Sequence, residues 1–335
     1  MKAVGYTTYL PVEDERSLID LELPIPAPGA RDLLVRVQAV SVNPRDIKSR
    51  KTLPAAPGAP MVIGYDASGI VEKTGPGATL FQPGDEVFYA GVLNRPGSNA
   101  EFQLVDERIV GRKPATLDHA TAASLPLTAL TAYEMLFDRL AVERHAAAPR
   151  SLLILGGAGG VPSMAIQLAR HAGLTVVATA ARAESEKWVR ELGAQHVVDH
   201  SRPLAEQIRR LGIGDIDYVF STHTNAAVWS EIAKIIAPQG RFGLIDDPEP
   251  LDLRVFKAKS VSIHWEAMFT RPMLQTRDMI RQHEILTEIA GLVDTGVIRA
   301  TATQNLGAIN AANLRKAHAL IESGKTIGKI VLAGF

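Results

Sequence analysis

The sequence predicts an α/β protein in which a partly open β-barrel precedes a doubly wound parallel sheet. Three observations predict it. Residues 1 to about 115 read as short strands split by turns. From Ser151 onward, strands alternate with helices of ten to fifteen residues, the pattern of a parallel sheet with right-handed crossovers. The first of these strands enters a glycine-rich turn that leaves as a helix.

Taken in order, LLVRVQAVSV alternates like a half-buried strand, and MVIGYDASGIVEKTG and GDEVFYAG follow. Turns fall at Pro28-Gly29, Gly75-Pro76 and Pro83-Gly84. At Asp118, a helix-start residue, the texture becomes alanine- and leucine-rich over DHATAASLPLTALTAYEMLFDRL. Strand SLLIL then leads to helix SMAIQLARHAG, and LTVVATA leads to AESEKWVRELG. HVVD precedes PLAEQIRRLG, DYVFS precedes AAVWSEIAKIIAPQG, and RFGLI follows. KSVSIHWEAM is expected at the sheet edge, and the tail from Thr270 holds two helices and the closing strand GKIVLAGF.

The 335 residues are too many for one core, so two domains are the default. Acidic and basic side chains balance at 36 each, which leaves no net field to recruit nucleic acid or an acidic membrane. Without cysteine there are no disulfides, thiolate nucleophiles or cysteine-containing zinc sites, as suits a reducing compartment. The N-terminal MKAVGYTTYLPVEDE lacks a signal-peptide core, and no apolar run of about 18 residues exists to span a membrane. A cytoplasmic location is expected.

The turn reads Gly157-Ala158-Gly159-Gly160-Val161-Pro162, a G-x-G-x-x pattern with proline in place of the third glycine. Such a turn aims backbone N–H groups and the positive helix end at a diphosphate. Gly157 permits the tight turn, Gly159 and Gly160 give the phosphates clearance, and Val161 follows in the cradle. Pro162 falls in the first helical turn, where its fixed φ and missing N–H are tolerated. A nucleotide site is therefore expected to survive.

The second strand chooses the nucleotide. An NAD site places an acid at its end for the ribose 2′-hydroxyl. Here the strand ends Thr179-Ala180-Ala181-Arg182, with Ser185 and Lys187 close by. A guanidinium suits a phosphate, so NADP(H) is the expected cofactor. Glu184 is the competing carboxylate, and the alternative reading of Arg182 and Lys187 is a solvated helix start.

With these motifs in place, the chain resembles the medium-chain dehydrogenase/reductase superfamily over its full length. VSVNPRDIKSR, GYDASGIVEKTGPG, PGDEVFYAG, LPLTALTAYEML, GGAGGV with AIQLAR, and the closing GKIVL carry the resemblance. It is nearest to the quinone oxidoreductase and zeta-crystallin branch, and within it to the bacterial zinc-type alcohol dehydrogenase-like subgroup. The resemblance implies a GroES-like catalytic domain over residues 1–124 and a Rossmann NADP-binding domain over 125–268. A C-terminal segment, 269–335, returns to the catalytic domain, and a homodimer is implied.

Zinc-dependent members of the superfamily hold the metal with a Cys, a His in a G-H-E turn and a second Cys. Those positions fall on Asn43, on Tyr65-Asp66, and on or beside Leu127. Asn, Tyr and Leu do not make a tetrahedral zinc site. The nine histidines are scattered and there is no cysteine, so neither a catalytic nor a structural zinc is expected. Without a Lewis acid, quinones and α,β-unsaturated carbonyls are the easier hydride acceptors, because charge delocalises onto a remote oxygen. The expected activity is zinc-independent, NADPH-dependent reduction of a small-molecule quinone or enone. An alcohol or aldehyde oxidoreductase, and a non-catalytic NADPH-binding sensor or structural protein, stay open as alternatives.

The candidate catalytic residues are Asn43, Tyr65 and Lys48, with Trp265 and Phe269 as apolar pocket walls. Asn43 either donates its amide to the substrate or caps the Asn43-Pro44 turn, while Asp46 orients its neighbours. Tyr65 is either a phenolic donor or an inward-packed barrel residue, and Lys48 either reaches the cofactor ribose or faces solvent. The resemblance adds Thr128, Ser221, Gly243-Leu244-Ile245 and Lys329 as cofactor contacts. Arg271 is placed either near the nicotinamide or in an ion pair.

Overall fold

The computed structural model describes residues 1–56 and 58–335. In chain order it begins with β1 (Lys2–Tyr6), β2 (Ile19–Glu22), β3 (Asp32–Val42), α1 (Pro44–Thr52), β4 (Met61–Val62) and β5 (Asp66–Thr74). Next come β6 (Glu86–Tyr89), β7 (Phe102–Asp106), β8 (Val110–Arg112), α2 (His119–Ala122) and α3 (Pro126–Tyr133). A π-helical stretch over Glu134–Arg139 then leads to β9 (Ser151–Ile154) and α4 (Gly160–His171). The alternating region continues with β10 (Thr175–Thr179), α5 (Ala183–Glu191), β11 (His196–Val198), α6 (Leu204–Leu211), β12 (Ile216–Ser221), α7 (Ala226–Ile235), β13 (Ile236–Leu244) and β14 (Ser262–Trp265). The tail holds α8 (Thr270–Leu274), α9 (Arg281–Asp294), β15 (Ala302–Asn305), α10 (Ala311–Glu322) and β16 (Lys329–Ala333).

These elements form two compact units, residues 1–130 with 269–335, and residues 131–268. In the first unit the main sheet runs β15-β16-β3-β5-β6-β8. The eleven-residue β3 is its spine. One edge of β3 pairs with β5 throughout; the other takes β7 at Asp32–Arg36 and β16 at Ala39–Val42. Register shifts against β5, at Leu34/Val35 and Val37/Ala39, bend the spine so that the sheet curls. The apolar face of the alternating β3 sequence fills the core with Leu33, Val35 and Val37, joined by Ile330 and Leu332 of β16. Pairing of Ile330 with Val42 sets Lys329 beside the start of α1.

The second unit is a six-stranded parallel sheet in the order β11-β10-β9-β12-β13-β14. The order reverses direction between β9 and β12, the switch point at which such sheets bind ligands. Its core includes Leu153, Val177, Val219 and Phe242 on the strands, with Trp229 of α7 edge-on to Phe242 and Phe256. β14 is outermost, as expected of KSVSIHWEAM.

Three elements differ from the sequence expectation. The alanine-rich stretch does start at Asp118, whose carboxylate accepts the Thr121 N–H at 2.7 Å. It then breaks into α2 and α3, because Pro126 has no N–H to continue the first helix. The predicted helix AAVWSEIAKIIAPQG gives up its last five residues to β13. Ile236 is already extended at φ −69°, ψ 137°, and Pro238 bars a further helical turn. The tail carries a short extra helix, α8, and the strand β15. No helix among the described residues is long and apolar enough to cross a membrane.

Candidate functional site

In the first unit, polar residues gather where β3 ends, β5 begins and β16 begins. Asn43 is the N-cap of α1 and Pro44 is its first helical residue, the position proline tolerates best. Asp46, in the first turn, accepts the Asn43 backbone N–H at 2.7 Å. Fully buried Asp66 is the hub. Its Oδ2 accepts from Ser41 Oγ at 2.7 Å, Asn43 Nδ2 at 2.8 Å and Lys329 Nζ at 3.1 Å. Its Oδ1 accepts the Leu127 backbone N–H at 2.7 Å. Lys329 Nζ also donates to Val42 O at 3.0 Å and to Asn43 Oδ1. An ammonium has three protons, and these three acceptors use them all. Asn43 and Lys329 are thus parts of one buried ion-pair network.

The zinc-ligand positions of the superfamily do converge, since Asn43 and Leu127 both donate to Asp66. The donor set does not fit zinc. Asn43 turns its NH₂ toward the carboxylate, Leu127 offers a backbone N–H, and the Tyr65 phenol pairs with Ser49 Oγ at 2.5 Å. The counter-charge to Asp66 is already supplied by the Lys329 ammonium, which would repel a dication. Among the described residues, no group of three or more His, Cys, Asp and Glu is placed to hold a metal.

Tyr65 is 2 % exposed and packs edge-on against Phe269, with ring centroids 5.1 Å apart. Burial raises its phenol above the ordinary range; hydrogen bonds from Ser49 and Arg45 oppose this, and the Asp46 carboxyl adds to it. Arg45 and Ser49 escaped the sequence reading. Their spacing of four was the available signal, because it puts both on one face of a helix that begins at Pro44. Asp46 is fully buried, and its Oδ1 has no hydrogen-bond partner among the described residues. Burial pushes this carboxyl from its ordinary 3.8 up to about 7; the Asn43 N–H and Lys329 hold it down, and Asp66 adds to the rise. Lys48 is exposed on the outer side of α1. Thr128 is buried and donates to Leu125 O at 2.9 Å, a bond within its own helix segment. Arg271 is paired with Asp278.

A second polar row, Ser68–His119–Glu86, has distances of 2.8 and 3.3 Å that resemble a hydrolytic triad. Ser68 is fully buried and donates its hydroxyl proton to Val87 O at 3.0 Å. It therefore accepts from the imidazole, and no nucleophile results.

In the second unit the glycine turn lies at the carboxyl end of β9. Gly156, outside the expected motif, carries the left-handed backbone at φ +78°, where a Cβ would lie 2.4 Å from Thr222 Oγ1. Thr179 fastens the turn: its Oγ1 accepts the Gly156 N–H at 2.9 Å and its carbonyl accepts the Gly157 N–H at 3.2 Å. A Cβ on Gly157 would sit 2.8 Å from that carbonyl. Gly159 is the N-cap of α4, so Gly160, Val161 and Pro162 form its first turn. The first bond within the helix is Ser163 N–H to Gly159 O. The Gly160 and Val161 N–H groups are therefore the helix donors an anion meets, and Pro162 removes none that the helix needs.

Arg182 is the exposed N-cap of α5. Buried Ser185 bonds back to it, donating to Arg182 O at 2.8 Å and accepting the Arg182 N–H at 3.2 Å. Lys187 is 80 % exposed and faces Glu191. Ser221 ends β12 and bonds Thr224 at 2.8 Å, which in turn donates to Asp246 at 2.9 Å. Gly243 and Leu244 lie inside β13; Gly243 is packed under Met135, and the Ile245 N–H donates to Ser221 O at 3.2 Å. Trp265, 61 % exposed at the end of β14, belongs to this unit, whereas Phe269 belongs to the first.

Known proteins match both halves of the chain. The pattern of alcohol dehydrogenase GroES-like domains covers residues 29–115, and that of zinc-binding dehydrogenases covers residues 192–332. A zinc-type alcohol dehydrogenase-like protein of Staphylococcus aureus is 40 % identical over 335 residues, spanning 99 % of each chain. The crystal structure of a Rhizobium etli protein assigned as a zinc-dependent alcohol dehydrogenase is 57 % identical, with a TM-score of 0.96 and coverage of 100 % of this chain and 98 % of that one. A chloroplastic NADPH-dependent alkenal/one oxidoreductase of Arabidopsis thaliana is 37 % identical over 220 residues, 62 % of this chain and 54 % of that protein. With a GroES-like unit, a Rossmann unit and these relatives, the chain belongs to the medium-chain dehydrogenase/reductase superfamily of oxidoreductases, alongside the bacterial zinc-type alcohol dehydrogenase-like proteins.

Proposed function

We propose that this oxidoreductase uses NADPH to reduce a quinone or an α,β-unsaturated carbonyl, without zinc. One observation carries the reading: the counter-charge at the superfamily's metal position comes from the chain itself, as the Lys329 ammonium on Asp66. An alcohol dehydrogenase needs a strong electrophile at the carbonyl oxygen. An enone or quinone does not, because the charge it gains spreads to an oxygen that hydrogen bonds can hold. The relative named as an NADPH-dependent alkenal/one oxidoreductase supports the same acceptor class.

When bound, the reduced nicotinamide supplies a hydride. The chain's own residues do the rest. Gly160 and Val161 N–H groups hold the diphosphate at the start of α4, and Arg182 pairs with the 2′-phosphate. Tyr65 donates its hydroxyl to the acceptor oxygen as charge develops there. Ser49 keeps that hydroxyl oriented, and the Arg45 guanidinium beside it offsets the anion.

NADPH consumption with a naphthoquinone, an enone and an aldehyde tests the reading: the first two are expected to turn over and the aldehyde to lag. Flat traces with all three would overturn it. Arg182→Ala is expected to weaken NADPH about tenfold and leave NADH unchanged, read as Kd by titration. Equal losses for both would remove Arg182 from phosphate recognition. Tyr65→Phe is expected to lower kcat about a hundredfold with Kd for NADPH unaltered. An unchanged kcat would take Tyr65 out of the chemistry.

A further inference from the structure

One half-buried side chain links the glycine turn to the helix that carries Arg182. The Trp188 indole N–H, on α5, donates to Ser163 Oγ at 2.8 Å. Ser163 Oγ donates onward to Gly159 O at 2.7 Å, the N-cap carbonyl of α4. The next residue on α5, Val189, packs under the same turn; its Cγ1 would lie 3.1 Å from a Cβ on Gly157. Val189 thus meets the cradle directly at Gly157, and Trp188 reaches Gly159 through Ser163.

The peptide plane makes this link matter for a ligand. The Gly159 carbonyl and the Gly160 N–H belong to one planar unit and point in opposite directions. Whatever fixes that oxygen also aims that N–H, which is the first helix donor an anion meets. A hydroxyl that accepts a hydrogen bond is a stronger donor, so Trp188 tightens the grip of Ser163 on Gly159. At the other end of the link, Arg182 is held as the N-cap of α5 by both bonds to Ser185. The chain Gly160–Gly159–Ser163–Trp188–α5–Arg182 is therefore a continuous strut from a diphosphate donor to the backbone of the residue whose guanidinium is expected to hold a 2′-phosphate.

We infer that Trp188 is a positioning residue for cofactor choice: it holds the two phosphate-binding elements at one spacing, so that a dinucleotide carrying both phosphate groups gains from the pre-set geometry. The inference rests on the proposed NADP(H) reading of this unit.

The test is a double-mutant cycle on the full chain, with Kd measured for NADPH and for NADH. Trp188→Phe keeps the ring bulk and removes the donor. It is expected to weaken NADPH by about 3–10-fold, the scale of one hydrogen bond, and NADH by less, so that the preference falls. Ser163→Ala should behave alike, and Trp188→Phe/Ser163→Ala should bind no worse than Ser163→Ala alone. Unchanged binding in Trp188→Phe, equal loss for both nucleotides, or additive losses would overturn the strut; if Trp188→Phe does not fold, the nucleotide preference of Ser163→Ala decides. Wild-type protein that binds NADPH and NADH equally would instead overturn the Arg182 reading, and the coupling with it.

Discussion

Lys329→Met is expected to remove about 3–5 kcal/mol from the stability of the folded chain. The pair it breaks is deep: the Lys329 side chain is 4 % exposed and that of Asp66 is 0 % exposed. Methionine matches the aliphatic stem, so little packing is lost and the cost is electrostatic. Asp66 keeps its bonds from Ser41, Asn43 and Leu127, but those neutral donors do not cancel its charge, and the Asn43 amide loses the partner of its oxygen. A buried carboxylate without its cation is the situation that costs most. Asp66→Asn in the Lys329→Met background removes the stranded charge and should recover most of the loss. Urea midpoints of the three proteins at constant pH measure it. A Lys329→Met protein within about 1 kcal/mol of wild type would mean that the pair contributes nothing beyond a surface bridge.

That network also marks where reading the sequence stops. Strand–helix alternation, the glycine turn, the Asp118 cap and the outermost β14 are local patterns, and each could be read from neighbouring residues. The partner of Lys329 is 263 positions away, and nothing local in GKIVL announces it. Only the pairing of β16 with β3 brings the ammonium to Asn43 and Asp66. For the same reason the sequence could not show that Asn43, readable as a substrate donor or as a turn cap, has its amide oxygen on Lys329 and its NH₂ on Asp66. Gly156 is a subtler case. Two adjacent glycines can each make a tight turn, and only the observed φ of +78° says which one does. Trp265 and Phe269 stand four positions apart but fall in different compact units, because the boundary passes between them. The same long-range geometry that hid the roles of Lys329 and Asn43 also buries the Asp46 carboxyl, whose Oδ1 has no partner among the described residues.

Asp46→Asn is expected to flatten a pH dependence that the wild-type chain carries. Burial favours the protonated acid, so the folded value of about 7 lies above the ordinary 3.8 of the unfolded chain. Below about pH 4 both states hold the proton, and the buried neutral acid costs nothing on this account. Between about pH 4 and 7 the folded chain keeps a proton that the unfolded chain has released, so stability falls by about 1.4 kcal/mol per pH unit. The loss is complete above about pH 7, where both states are ionised, and reaches at most about 4 kcal/mol. Asparagine keeps an oxygen to accept the Asn43 N–H and has no charge to gain, so the stability of the variant relative to wild type should climb with pH across that window and level off above it. Other titrating groups are common to both proteins and cancel in the difference. Urea midpoints at pH 5, 6, 7 and 8 give the curve, and a flat difference would mean that Asp46 is ionised throughout. Lys329 holds the Asp46 carboxyl down, so in Lys329→Met the upper end of the window should move to higher pH while its lower end stays near pH 4. That displacement separates electrostatic coupling within the cluster from a general loosening of the fold, which would let water in and move the upper end to lower pH.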